Sequence, residues 1–177
     1  MQTIICMKWG NRYNYVYVNR LYQSILKHTK NKTQLICFTD DQANINKNVI
    51  CKPLPKIKLP KVIALTPWRK ISVWQDSLFK RNQDILFLDL DLVVTGNLDR
   101  LFKYNPGKYC VIENWTQIGM NIGNTSCFRF PSGKYHYLFE EFEKNSNQIW
   151  KKYHIEQIYL SEKIKDQIFW PSDWCKS

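Results

Sequence analysis

Ile85-Leu86-Phe87-Leu88-Asp89-Leu90-Asp91-Leu92-Val93-Val94 is the stretch on which the fold turns. Ile85 to Leu88 read as a strand buried on both faces, the habit of a central strand in an α/β sheet. Two carboxylates then follow inside the apolar run. In an extended chain Asp89 and Asp91 point to one side, with Leu88, Leu90 and Leu92 on the other. Carboxylates that close repel by about 4 kcal/mol at an effective dielectric of about 20, and each loses hydration on burial. The pair therefore asks for a cation, and Mn²⁺ or Mg²⁺ shared with substrate phosphates meets that need. Ligands of open α/β sheets gather at the carboxyl ends of strands, which is where the pair falls.

Upstream, Thr3 to Met7 reads as a buried strand. Apolar and aromatic residues at 17, 18, 21, 22, 25 and 26 then give helical spacing over 13–28, with Asn11 as the expected cap. Leu35 to Phe38 is a second strand, ended by Thr39-Asp40-Asp41, and Val49 to Cys51 is a further apolar piece. A loop with Pro53, Pro55 and Pro60 leads to Thr66-Pro67, which predicts a capped helix from Pro67 to about Lys80. Downstream, a turn at Gly96-Asn97 precedes a short helix over 98–102. Strands follow at 109–112 and 127–130, and helices at 133–144 and 153–163. Early β-α-β alternation and a mixed sheet later place residues 1–177 in one α/β domain with an open sheet.

The 177 residues contain no repeat, linker or low-complexity segment, and no apolar run approaches the length of a membrane span. Met1 to Gly10 lacks the pattern of a signal peptide, so the expected location is the cytoplasm, with a surface suited to the inner face of a membrane. The six cysteines are scattered without close pairs, which predicts free structural thiols rather than zinc ligands or disulfides. A net charge of +11 attracts nucleotides, nucleic acids, anionic lipids and acidic glycans alike. A basic nucleic-acid-binding module without catalysis is one alternative. Against it, the aromatics sit at core spacing and no reader motif is present.

Hydrophobic strand followed by Asp-x-Asp also resembles phosphatases of the haloacid-dehalogenase type, in which the first Asp is a nucleophile and the second an acid. That family carries the motif on its first strand and a later acidic pair. Here the motif is mid-chain and no such pair follows.

A longer ordered set of residues points elsewhere. It comprises Lys8-Trp9-Gly10 with Tyr13, Tyr17-Val18-Asn19-Arg20-Leu21-Tyr22, Cys37-Phe38-Thr39-Asp40-Asp41 and Trp68-Arg69-Lys70. It continues with Asp89-Leu90-Asp91, Gly96-Asn97-Leu98-Asp99, Asn124-Thr125-Ser126, Glu156-Gln157 and Phe169-Trp170-Pro171. Running almost the full length, this set resembles nucleotide-sugar glycosyltransferases of the GT-A fold, near the glycogenin and bacterial lipopolysaccharide glycosyltransferase group, in a compact bacterial or viral branch.

The resemblance implies a Rossmann-like open mixed sheet flanked by helices, and transfer of a sugar from a nucleoside-diphosphate sugar to an acceptor hydroxyl with retention. A UDP-sugar is the family habit, and the acceptor would be a glycan or glycolipid. It further implies that Trp9 and Tyr13 cup the base and that Asp40 contacts base or ribose. Lys70 would reach the donor's sugar or phosphates, and Asp89 and Asp91 would hold the metal. Asn124 would line the sugar pocket, and Gln157 would lie near the reacting centre. Two departures stand out. Glu156 replaces the usual Asp, and no histidine follows His154 to serve as a late third metal ligand. The metal is then left to two aspartates, phosphate oxygens and water.

Overall fold

The structure is a computed structural model and describes residues 1–176. Seven strands form one mixed sheet: β1 (Gln2–Lys8), β2 (Thr33–Thr39), β3 (Ile50–Pro53), β4 (Asp84–Leu88), β5 (Cys110–Glu113), β6 (Gly123–Pro131) and β7 (Ile168–Phe169). Their order across the sheet is β3-β2-β1-β4-β6-β5-β7. The first four in that order are parallel, β6 runs against β4 and β5, and β7 is parallel to β5. One edge of the sheet therefore collects the carboxyl ends of β1 to β5 and the amino end of β6.

Four α-helices flank the sheet: α1 (Tyr15–His28), α2 (Asp99–Lys103), α3 (Tyr137–Tyr153) and α4 (Glu156–Lys163). Alternation along the central strands divides the core in two. Ile5, Met7, Ile85 and Phe87 face the layer that contains Trp68, Trp74, Phe142 and Tyr159. Ile4, Cys6, Leu86 and Leu88 face Val18, Leu21, Ile25 and Leu101. Both faces of β4 are thus covered, as the unbroken run Ile85 to Leu88 requires.

Several local expectations are corrected. Helix α1 is capped by Asn14, whose Oδ1 accepts from Val16 N at 3.0 Å, and not by Asn11. The segment after Pro67 is a 3₁₀ helix ending at Trp74, short of the α-helix expected to about Lys80. Trp68, Ile71 and Trp74 are all buried and recur every third residue, the 3₁₀ period. Thr66 precedes this helix, but its hydroxyl donates to Ile63 O at 2.8 Å and caps nothing. Helix α3 runs on to Tyr153 through a non-helical residue at Asn145. The two-residue β7 and a 3₁₀ turn at Lys61–Ile63 are too short for periodicity to reveal.

Arg129 on β6 is fully buried. Its guanidinium donates to the carbonyls of Leu101, Asn105 and Tyr104, the last at 2.6 Å, and so holds the end of α2 to the sheet. All six cysteines are free thiols, as their scatter implied. Among the described residues no helix is long and apolar enough to cross a membrane.

Candidate functional site

Strand β4 ends at Leu88, so Asp89 and Asp91 stand in the turn beyond it rather than on the strand itself. Leu90 between them is buried and anchors the turn in the core. Asp89 is tied to the start of β6 by its own amide, which donates to Ser126 O at 2.8 Å. Its side chain faces inward, where Lys70 Nζ donates to Oδ2 at 2.7 Å. Asp91 is exposed and accepts a 2.6 Å hydrogen bond from the Tyr13 hydroxyl.

Lys70 is the hinge of the inner cluster. It projects from the Pro67–Trp74 3₁₀ helix and is buried, with a second hydrogen bond to Thr125 O at 3.1 Å. Glu156 Oε1 lies 4.0 Å from its ammonium and accepts from Thr125 Oγ1 at 2.6 Å. Glu156 is only 1% exposed, and its Oε2 is buried without a partner. Buried oxygens are rarely left unbonded, and ordered water or an ion is a common partner. Burial pushes the Asp89 carboxyl above the usual carboxylate range, and neighbouring Asp91 adds to this while Lys70 opposes it. Partial burial and the bond to Asp91 push the Tyr13 phenol up to about 12.

The residues singled out from the sequence fall into three neighbouring groups on this edge. Asp89 and Lys70 form the inner cluster; Asn124 is next to Thr125 on β6, its Oδ1 accepting from Ser126 N at 2.9 Å. Tyr13 and Asp91 form the outer pair, with the Arg12 guanidinium 5.3 Å from the Tyr13 ring centre. The third group lies just beyond β1 and β2, where Asp40 Oδ2 accepts from Gly10 N at 2.9 Å. Gly10 is in the left-handed region with φ +60, which turns the chain toward Asp40. Half-buried Trp9 packs against the core. Gln157 is half-buried beside Glu156 at the start of α4.

Sequence reading passed over Thr125 and the pairing of Glu156 with Lys70. The signal was the Glu in place of Asp, whose extra methylene lets the carboxylate reach Thr125 and lie near Lys70. Beyond Asp91 a groove of about 690 Å³ opens between the β4 turn and the C-terminal segment, lined in part by Arg100, Trp115, Cys127 and Trp174.

A divalent cation fits the donor chemistry of this turn. Two carboxylates with oxygens to spare are the hard ligands that Mg²⁺ and Mn²⁺ take. Among the described residues no group of three or more His, Cys, Asp and Glu could hold a metal.

No family model and no curated protein matches this sequence. Solved structures do. Over 97% of its length the chain superposes on galactosyltransferase LgtC in complex with donor and acceptor sugar analogs, with a TM-score of 0.68, 12% identity and 74% of that chain covered. The fold is the GT-A fold. Glycosyltransferase GlyE of Streptococcus pneumoniae TIGR4 matches 98% of the chain with TM-score 0.69 and 12% identity, over 46% of its own length. The bifunctional glycosyltransferase WbbM matches 98% with TM-score 0.62 and 12% identity, over 39% of its own length. In this GT-A chain the aspartate pair lies at the carboxyl end of a central strand, the fourth in sequence. A haloacid-dehalogenase-type enzyme would carry it on the first.

Proposed function

We propose that the chain is a metal-dependent glycosyltransferase that moves a sugar from a nucleoside-diphosphate sugar to an acceptor hydroxyl. One observation carries the reading: in a GT-A fold, a buried lysine is clamped against the first of two aspartates at the carboxyl end of a central strand. Asp89 and Asp91 would hold Mn²⁺ or Mg²⁺, which when bound supplies positive charge for a departing diphosphate.

The chain's own groups do the rest. Tyr13 fixes Asp91 through its short hydrogen bond. The Lys70 ammonium is desolvated and aimed, so it stabilises negative charge developing on the leaving oxygen without reorganising. Trp9 and Tyr13 offer ring faces to a base, and Asp40 lies at the same loop. Asn124 and Gln157 flank the buried Glu156–Thr125 pair and suit hydrogen bonds to sugar hydroxyls. Trp115 and Trp174 give the groove beyond Asp91 aromatic faces for a glycan or glycolipid acceptor. The bond from the anomeric carbon to the diphosphate oxygen breaks as the acceptor oxygen bonds to that carbon from the same face. The hydroxyl proton passes to the departing diphosphate. Configuration is retained, and no protein nucleophile is required. A uridine diphosphate donor follows the habit of the group that the sequence resembles.

Thermal unfolding with a panel of nucleoside diphosphates and their sugars, each with and without Mn²⁺, tests this. A ligand at about a hundred times its dissociation constant adds about 2.7 kcal/mol of stability, a shift of several degrees. The expected result is a shift that needs both Mn²⁺ and one nucleotide and disappears in Asp91→Asn. A shift with single- or double-stranded oligonucleotides that is indifferent to Mn²⁺ and collapses with salt would favour a nucleic-acid-binding module instead.

A further inference from the structure

Each aspartate of the pair is already engaged by a donor of this chain. The Tyr13 hydroxyl lies 2.6 Å from Asp91 Oδ2, and the Lys70 ammonium lies 2.7 Å from Asp89 Oδ2. The two donors differ in how easily they can leave. Asp91 is exposed, so water can replace the Tyr13 hydroxyl. Lys70 is buried, and an ammonium that loses its carboxylate inside a protein needs another acceptor. A divalent cation on Asp89 would share one carboxylate with that ammonium, and two cations so close repel.

The acceptors around Lys70 Nζ are few. On one side stands the Phe87 ring, its centre 5.3 Å away. The Thr125 carbonyl accepts at 3.1 Å. Glu156 Oε1 lies 4.0 Å away, beyond hydrogen-bond range, and accepts from Thr125 Oγ1 at 2.6 Å. Glu156 Oε2 is buried and has no partner among the described residues. Thr125 is held within β6 and Glu156 in the first turn of α4, so this second carboxylate is fixed in place. A shift of Nζ by about 1 Å brings it into hydrogen-bond range of Glu156. The length of the residue matters, because an Asp here would stop one carbon–carbon bond short, about 1.5 Å.

We propose that Glu156 is a positioning residue that takes over Lys70 when a divalent cation occupies Asp89. Lys70 turns from Asp89 to Glu156 and keeps the Thr125 carbonyl throughout. The exchange frees Asp89 Oδ2 for the cation and leaves the ammonium paired. Glu156 is only 1% exposed, so it acts on the cation through Lys70 and not by contact. This inference rests on the metal-dependent reading of the site.

Binding of Mn²⁺ alone, read from the loss of the free ion's electron paramagnetic resonance signal, tests the exchange. Glu156→Gln should bind Mn²⁺ about tenfold more weakly than the native chain, an ordinary coupling between linked sites. Glu156→Asp keeps the charge without the reach and should weaken binding by a similar factor. A carboxylate acting on the ion through space would leave Glu156→Asp at native affinity. In a Lys70→Met background Glu156→Gln should change the affinity by less than about twofold, because the group it serves is gone. Circular dichroism without metal shows which variants are folded at the binding temperature, and Glu156→Asp decides the matter if Lys70→Met is not. Native affinity in Glu156→Asp, or an equal loss from Glu156→Gln with and without Lys70, overturns the exchange and leaves the metal site standing. No Mn²⁺ bound by the native chain overturns both.

Discussion

Replacing Lys70 by Met keeps the stem of the side chain and removes a buried charge. The ammonium stands 2.7 Å from Asp89 and 4.0 Å from Glu156, gross attractions of about 6 and about 4 kcal/mol at an effective dielectric of about 20. Desolvation offsets much of this, and the measurable quantity is the cost of leaving the counter-charges behind, about 3–5 kcal/mol for a buried set. The Asp89 side chain is 22% exposed, so water screens its share and the lower end, about 3 kcal/mol, is expected. For a chain of 177 residues that lowers the melting temperature by about 6–12 °C. The pH dependence has a definite sign. Burial already raises the folded Asp89 carboxyl and Lys70 opposes that rise, so without the ammonium Asp89 binds its proton still more readily in the folded state than in the unfolded one. Folded protein therefore gains stability on acidification, and the deficit should narrow from about pH 7 to about pH 5. Adding Glu156→Gln should recover part of the loss. Circular dichroism melts of the native chain and both variants across that range decide it. A loss under about 2 °C, or a deficit that widens as pH falls, would refute the charge clamp.

Three further outcomes follow from other contacts. Arg129→Met removes the guanidinium that holds Leu101, Tyr104 and Asn105 carbonyls and should lower stability by about 3–5 kcal/mol, read from urea unfolding midpoints. Gly123→Ala puts a Cβ 2.8 Å from Val111 Cγ1; overpacking of this kind costs about 1–3 kcal/mol, and the displaced start of β6 should also weaken nucleotide-dependent shifts. Because the folded Asp89 carboxyl titrates above its ordinary value of 3.8, and only the carboxylate binds a cation, the Mn²⁺-dependent nucleotide shift should fade on acidification at a higher pH than an ordinary aspartate would impose; melts with and without Mn²⁺ over a pH series check this.

The parts of the fold that were legible in the sequence are those with a strong period or a strong conflict. Ile85 to Leu88 read as a strand covered on both faces, with the acids at its carboxyl end; the extended course that would point both acids to one side instead stops at Leu88, so Asp89 turns in to Lys70 and Asp91 out to Tyr13. Leu21 and Ile25 announced α1 by spacing alone. The cap was missed because Asn11 and Asn14 are chemically alike, and only the backbone shows that Asn14 is extended and bonded to Val16. The 3₁₀ helix was missed because a proline start looks the same for both helix types; the three-residue spacing of Trp68, Ile71 and Trp74 was the discriminating signal. Of the candidate site, Asp89 and Asp91 were picked out by their setting in an apolar run, and Lys70 only by the family resemblance. The burial of Glu156 against Thr125 could not be read from the chain, since it depends on α4 docking on β6, a contact between elements about thirty residues apart.

The central claim, transfer of a glycosyl group from a nucleoside-diphosphate sugar, is tested most directly by proton NMR of the chain with Mg²⁺ and a panel of sugar nucleotides, with and without glycan acceptors. The account predicts that one sugar nucleotide is consumed, that the nucleoside diphosphate is released intact, and that the new anomeric signal keeps the donor's configuration. Asp91→Asn should abolish all three. No consumption of any sugar nucleotide, together with hydrolysis of a simple phosphomonoester that depends on Asp89, would contradict it and return the aspartate pair to phosphatase chemistry.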